Sequence, residues 1–66
     1  MHIILNGESR ECAAQTQLGA LLETLGVAGK KIAVERNGEI VPRSRHADTA
    51  LMDGDRLEIV VAVGGG

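Results

Sequence analysis

Gly64, Gly65 and Gly66 close the sequence as VVAVGGG, and Gly66 there carries an α-carboxylate, ionised at neutral pH. A carboxylate is a poor electrophile. Joined to AMP as a mixed anhydride it becomes a good one, and attack by sulfur on that anhydride leaves a thiocarboxylate, itself a nucleophile. Glycines suit such an end. Without a Cβ, Gly64 and Gly65 can enter a narrow slot on another protein in backbone conformations closed to other residues. Three residues reach at most ~10 Å beyond the strand they follow. Flexible residues are also common at chain ends, so the meaning of these glycines depends on what precedes them.

The other reactive side chains form no comparable set. Cys12 is the single cysteine, so no disulfide staples the chain, and a lone thiol fits a reducing compartment. It reads as a small apolar residue at the end of a strand. A persulfide role would need an excess of local positive charge, and Arg10 is countered by Glu11. His2 reads as an exposed strand residue and His46 as a loop residue; neither lies in a ligand-spaced cluster, so no metal site is expected. Glu8 with Glu11, and Asp53 with Asp55, are carboxylate pairs by proximity, with turn and strand-surface roles. There is no nucleophile–base–orienter set and no glycine-rich phosphate loop between a strand and a helix. The chain is therefore not expected to be an enzyme in its own right.

Charge and composition narrow the partners. The formal net charge is −2 with both signs interspersed, and Phe, Tyr and Trp are absent. That excludes a basic nucleic-acid surface and an aromatic platform for base stacking. Lys30-Lys31, Arg43 and Arg45 are small solvated clusters. No apolar run is long enough for a membrane span or a secretory signal, and the expected location is the cytoplasm.

The elements that must position the glycine end come in a clear order. HIILNGESREC is a hairpin about Asn6-Gly7, a dipeptide suited to the positive φ angles of a type I′ turn. Alternation places Ile3 and Leu5 on one face, His2 and Ile4 on the other. In TQLGALLETLGV, Leu18, Leu21, Leu22 and Leu25 form one stripe of an amphipathic helix. Thr16 is the expected N-cap, Gly26 the left-handed C′ residue, and Val27 folds back on Leu22. Gly19 weakens this helix by about 1 kcal/mol against Ala. A second hairpin, IAVERNGEIVP, turns at Asn37-Gly38, with Ile32, Val34 and Ile40 as expected core residues and Pro42 ending its second strand. RSRHADTALMDGD is a polar connection with one short helical turn and a tight turn at Asp53-Gly54-Asp55. RLEIVVAV, the most apolar strand, is expected at the centre of the sheet.

Strand, strand, helix, strand, strand, strand is the order of an α+β fold of β-grasp, or ubiquitin-like, type: a mixed five-stranded sheet with one main helix on one face. The domain spans residues 1–63, and residues 64–66 form a flexible glycine tail. One helix covers one face, taking Ile3, Leu5, Ile32, Val34, Leu57, Ile59 and Val61. Ile4, Val60 and Ala62 are left on the open face beside Glu58. A chain of 66 residues buries a modest core, and the expected net stability is about 3–5 kcal/mol.

IILNGE, IAVERNGEIVPRS and ALMDGDRLEIVVAVGGG, with the total length, resemble the bacterial sulfur carrier family of thiamine biosynthesis, ThiS, over essentially residues 1–66. A Gly-Gly end is shared by all ubiquitin-like carriers; NGEIVPR and DGDRLEIV with the terminal glycines together favour this family. The resemblance implies that Gly66 is adenylated with ATP by a separate E1-like enzyme, ThiF, with Gly65 threading that active site. No cofactor is bound by the carrier itself. Sulfur derived from cysteine through a persulfide (the cysteine desulfurase system) then converts the adenylate to a thiocarboxylate. Thiazole synthase, ThiG, takes that sulfur together with deoxyxylulose 5-phosphate and a glycine-derived imine. It further implies that Gly64, Gly65 and the apolar open face dock on both partners; alternation assigns that face to Ile4, Val60 and Ala62. Gly64 is one glycine more than the pair, within the family's variation.

Two other readings stay open at this point. One is the MoaD-like small subunit of molybdopterin synthase, or a carrier for cysteine or tRNA thiolation. The molybdopterin subunits are usually longer and carry aromatic residues near the N-terminus, which this chain lacks. The other is a β-grasp interaction module whose glycine end is inert.

Overall fold

The computed structural model of the chain describes residues 1–62; Val63 and the glycines at 64, 65 and 66 lie outside the described residues. Both Asn-Gly pairs make the turns their sequence suggests. Asn6 (φ 50°) with Gly7 (φ 84°), and Asn37 (φ 52°) with Gly38 (φ 86°), occupy the left-handed region at both central positions, as a two-residue hairpin with the native twist requires. The first turn joins β1 (His2–Leu5) to β2 (Glu8–Glu11), with Leu5 opposite Glu8. The second joins β3 (Ile32–Arg36) to β4 (Glu39–Ile40), with Arg36 opposite Glu39.

The last strand, β5 (Arg56–Val61), lies between the hairpins, parallel to β1 and antiparallel to β3. The sheet order is β2-β1-β5-β3-β4. This is the mixed five-stranded β-grasp sheet, with the last strand at its centre as expected. The helix α1 (Leu18–Thr24) covers one face. Buried between them are Ile3, Leu5, Leu18, Leu21, Leu22, Val34, Leu51, Leu57 and Ile59.

The helix starts and stops by different means. Its N-cap is Gln17, not Thr16, and no side chain caps it. The Thr16 hydroxyl instead donates to the Ala13 carbonyl at 2.7 Å. The otherwise orphaned Leu18 N–H donates to Thr49 O at 2.8 Å, while Leu51 N–H donates to Thr16 O at 3.0 Å. A distant backbone segment thus does the work that a cap side chain does elsewhere. At the other end Gly26 is left-handed (φ 77°). Its N–H donates to Glu23 O, and that of Val27 to Leu22 O, the paired bonds of a Schellman stop.

Two core expectations are corrected. Ile40 is 65% exposed. The two-residue turn pairs Ile40 with Glu35, and paired residues share a face, so Ile40 stands opposite in sense to Val34. Val41, whose N–H donates to Val34 O at 2.8 Å, packs against the core in its place. Val61 is 37% exposed. A seven-residue helix is about 10 Å long whereas the six residues of β5 run about 20 Å, so the strand outruns its cover.

His46 lies in the connection, as expected of a loop residue, but it is not exposed there. It is buried beside the 3₁₀ turn Arg43–Arg45, with Nε2 2.9 Å from Val41 O. The same segment explains Gly19: a Cβ there would stand 3.1 Å from Ala47 Cα. The glycine that weakens the helix locally is what lets the 46–47 backbone approach it.

Candidate functional site

The site expected from the sequence is the end of β5, the open face beside it and the glycines that follow. On the open face the structure places Ile4, Val60 and Ala62 as alternation foresees: Ile4 is half-buried, Val60 is 63% exposed, and Ala62 is exposed. Register sets their neighbours. Ile4 lies between Ser9 and Arg56, Val60 is opposite Ala33, and Glu58 is opposite Glu35, which in turn faces Ile40. Ile40 therefore joins the open face, an apolar member that a strict count through the two-residue turn could have found. The candidate residues Gly64, Gly65 and Gly66 lie outside the described residues.

What holds β5 in place was not legible in the sequence. On the β3 side it is paired throughout its length, and the Ala62 N–H still donates to Lys31 O at 2.9 Å. On the β1 side the ladder stops early, because the chain turns away at Asn6-Gly7. Ile4 N–H donates to Asp55 O (2.8 Å) and Asn6 N–H to Leu57 O (2.9 Å). One further rung follows, made by a side chain. Ile59 N–H donates to Asn6 Oδ1 at 2.8 Å, and Asn6 Nδ2 donates to Ile59 O at 3.1 Å. The carboxamide imitates a peptide group and satisfies both main-chain groups of Ile59.

Asn37 acts similarly at the other end of β5. Arg56 N–H donates to its Oδ1 at 2.9 Å, and its Nδ2 donates to Asp55 Oδ1 at 3.0 Å. Asp55 is 95% buried by the measure of its 5% exposure and collects three donors. Besides Asn37, Oδ2 accepts from Arg36 Nε (2.9 Å) and Met52 N–H (2.8 Å). Burial pushes its pKa up, but the bonds from Met52, Asn37 and Arg36, with the charge of Arg36, outweigh it and hold the carboxyl below its ordinary 3.8. This carboxylate has a structural role: it ties its own turn, through Met52, to Arg36 and Asn37 at the β3–β4 hairpin.

The remaining candidates stay apart. Cys12 is half-buried just past β2, its N–H donating to Met1 O at 2.8 Å. His2 pairs with Glu11 at 2.9 Å on the surface, both side chains 69% exposed. Among the described residues no three His, Cys, Asp or Glu side chains are grouped to hold a metal ion. No helix there is long and apolar enough to cross a membrane.

The domain thus supplies a firmly held central strand leading to a glycine end, beside an uncovered apolar face. The profile of the ThiS family matches residues 3–66. The chain belongs to the ThiS family. It is 33% identical to the Sulfur carrier protein ThiS of Escherichia coli (strain K12), over the full length of both. It is also similar to the crystal structure of the thiamine biosynthesis protein ThiS from Geobacter metallireducens, at a TM-score of 0.83 and 33% identity, with both chains fully covered. Its similarity to a protein of Paramagnetospirillum magneticum named thiazole synthase is higher, at 53% identity over 66 residues, but the chain spans only 20% of that relative's length.

Proposed function

We propose that this ThiS-family chain is a sulfur carrier of thiamine biosynthesis whose reacting group is the carboxylate of Gly66. The observation that carries the reading is the family match, which runs to Gly66 and so includes the glycines on which the chemistry depends. The end-to-end correspondence with the E. coli sulfur carrier protein supports it.

The carboxylate attacks the α-phosphorus of ATP on an E1-like activating enzyme, ThiF, and pyrophosphate leaves. Sulfur passed on from a cysteine persulfide by the donor system then takes the place of AMP. A carbon–sulfur bond forms, a carbon–oxygen bond breaks, and the oxygen departs with AMP, leaving an acyl disulfide between the carrier and the donor cysteine. A second thiol of the donor system then attacks the donor-side sulfur. The sulfur–sulfur bond to the carrier breaks, the thiocarboxylate leaves, and the two donor thiols end as a disulfide, having supplied the two electrons. The thiocarboxylate gives its sulfur to thiazole synthase, ThiG, for the thiazole ring. Two relatives named thiazole synthase, of which a chain like this one makes up 20%, support that partner. In this reading the chain is a co-substrate, and ATP is bound by the activating enzyme.

The fold's part is delivery. Docking through Ile4, Val60 and Ala62 buries apolar surface already exposed; covering Val60 alone contributes about 1–2 kcal/mol. Gly66 follows Ala62 by four residues, a reach of at most about 14 Å. Docking the face therefore confines the carboxylate to the neighbourhood of the partner's active site, which raises its effective concentration there. Gly64 and Gly65, lacking Cβ atoms, pass through a channel that side chains would block.

The test uses the protein ending at Gly66, incubated with ATP, its activating enzyme and a sulfur donor. The intact mass should rise by the difference between one sulfur and one oxygen atom. An unchanged mass, with partners that load another carrier, refutes the reading. Deleting Gly65 and Gly66 should abolish loading and leave the far-ultraviolet circular dichroism unchanged.

A further inference from the structure

The side-chain rung between Asn6 and Ile59 lies where β5 changes character. Up to Leu57 the strand is paired on both sides. Beyond Ile59 it is paired with β3 alone, and it is this singly paired end that presents Val60 and Ala62 and leads to the glycines. Among the described residues, Asn6 is the last group to hold β5 from the β1 side, through both main-chain groups of Ile59. Without it, β5 becomes an edge strand from Leu57 onward, and a strand end secured on one side opens more readily.

We propose that Asn6 is a positioning residue for sulfur loading: its carboxamide fixes the end of β5 so that Val60 and Ala62 are presented to the activating enzyme in one arrangement. The inference rests on the carrier reading given above. Its logic is preorganisation. A docking surface that must be ordered during binding loses affinity by the cost of ordering it. Among the described residues the hydrogen bonds of the Asn6 carboxamide go to Ile59, and its effect is exerted through that residue.

The turn makes the effect separable. Asn6 has φ 50°, so Asn6→Gly keeps the backbone geometry, since glycine adopts it freely, and removes only the carboxamide. Asn37 is also left-handed (φ 52°), so Asn37→Gly removes a carboxamide from the opposite end of β5 and serves as the control. Asn6→Asp retains an acceptor for the Ile59 N–H but no donor for its carbonyl.

Loading of each variant by the activating enzyme, ATP and a sulfur donor is followed by intact mass at a temperature where all are folded. Asn6→Gly should raise KM for the carrier at least tenfold with kcat little changed, and Asn6→Asp should fall between it and wild type. Asn37→Gly should keep the wild-type KM. Amide hydrogen exchange without any partner should show Ile59 losing protection in Asn6→Gly. Equal KM values for Asn6→Gly and wild type, an equal rise in Asn37→Gly, or unchanged Ile59 protection overturns the proposal while leaving the carrier reading intact. Failure of wild type to load at all overturns the carrier reading itself, and this inference with it.

Discussion

Asp55→Asn tests the side chain that makes the most hydrogen bonds among the described residues. The substitution conserves shape and removes charge. Of the three donors that meet Asp55 (Arg36 Nε, Met52 N–H and Asn37 Nδ2), an asparagine oxygen can serve those on one side only. Its NH₂ group then faces a donor. At least one hydrogen bond to a charged group is lost, about 1.5–3 kcal/mol. The Arg36 side chain is 28% exposed, so water partly rescues it, and the full 3–5 kcal/mol of a stranded buried ion is not expected. The net loss should be about 2–3 kcal/mol, a large part of the stability of so small a domain. Urea unfolding followed by far-ultraviolet circular dichroism measures it, since the chain has no Phe, Tyr or Trp to report otherwise. The pH dependence sharpens the test. The folded-state pKa of Asp55 is depressed, so its contribution is complete above the unfolded value near 3.8 and is lost as pH falls through the lower, folded value. The gap between wild type and variant should therefore shrink on going from neutral pH towards about pH 3. A variant within about 0.5 kcal/mol of wild type at neutral pH, or a gap that does not narrow in acid, refutes the reasoning.

Three further substitutions bear on stability. Gly19→Ala gains about 1 kcal/mol of helix propensity yet places a Cβ 3.1 Å from Ala47 Cα; overpacking costs about 1–3 kcal/mol, so the melting temperature should fall, and a rise would show that the 46–47 backbone yields freely. Leu57→Ala, at a fully buried position, should cost about 2–5 kcal/mol and leave little folded protein. Ile40→Ser, at an exposed one, should change stability by less than about 0.5 kcal/mol; comparable losses from both, by urea titration, would contradict the assigned faces.

Much of the fold follows from local rules, and particular residues show where those rules end. Asn6-Gly7 and Asn37-Gly38 announce both hairpins because positive φ at two successive positions is a local demand that few residue pairs meet. Gly26 announces the helix stop for the same reason. Ile40 shows that a pattern can be read against its own geometry: its face follows from the turn length, once residues are counted in pairs rather than by hydrophobicity. Thr16 failed as a cap because Thr49 and Leu51, far along the chain, supplied the backbone partners instead. The candidate site divides likewise. Val60 and Ala62 were placeable by alternation alone, whereas the clamp of Asn6 on Ile59 spans 53 residues of sequence and leaves no local mark.

By itself the sequence determined the hairpins, the amphipathic helix, the central place of the last strand and the glycine end, because each depends on periodicity or on the conformational range of single residues. Only the tertiary structure decided which polar groups those elements share. Asn6 reaching Ile59, Asn37 and Arg36 converging on Asp55, and Gly19 admitting the 46–47 backbone all depend on the sheet order. Hydrogen bonding and close packing act through space, over a few ångströms, between residues that the chain alone does not bring together.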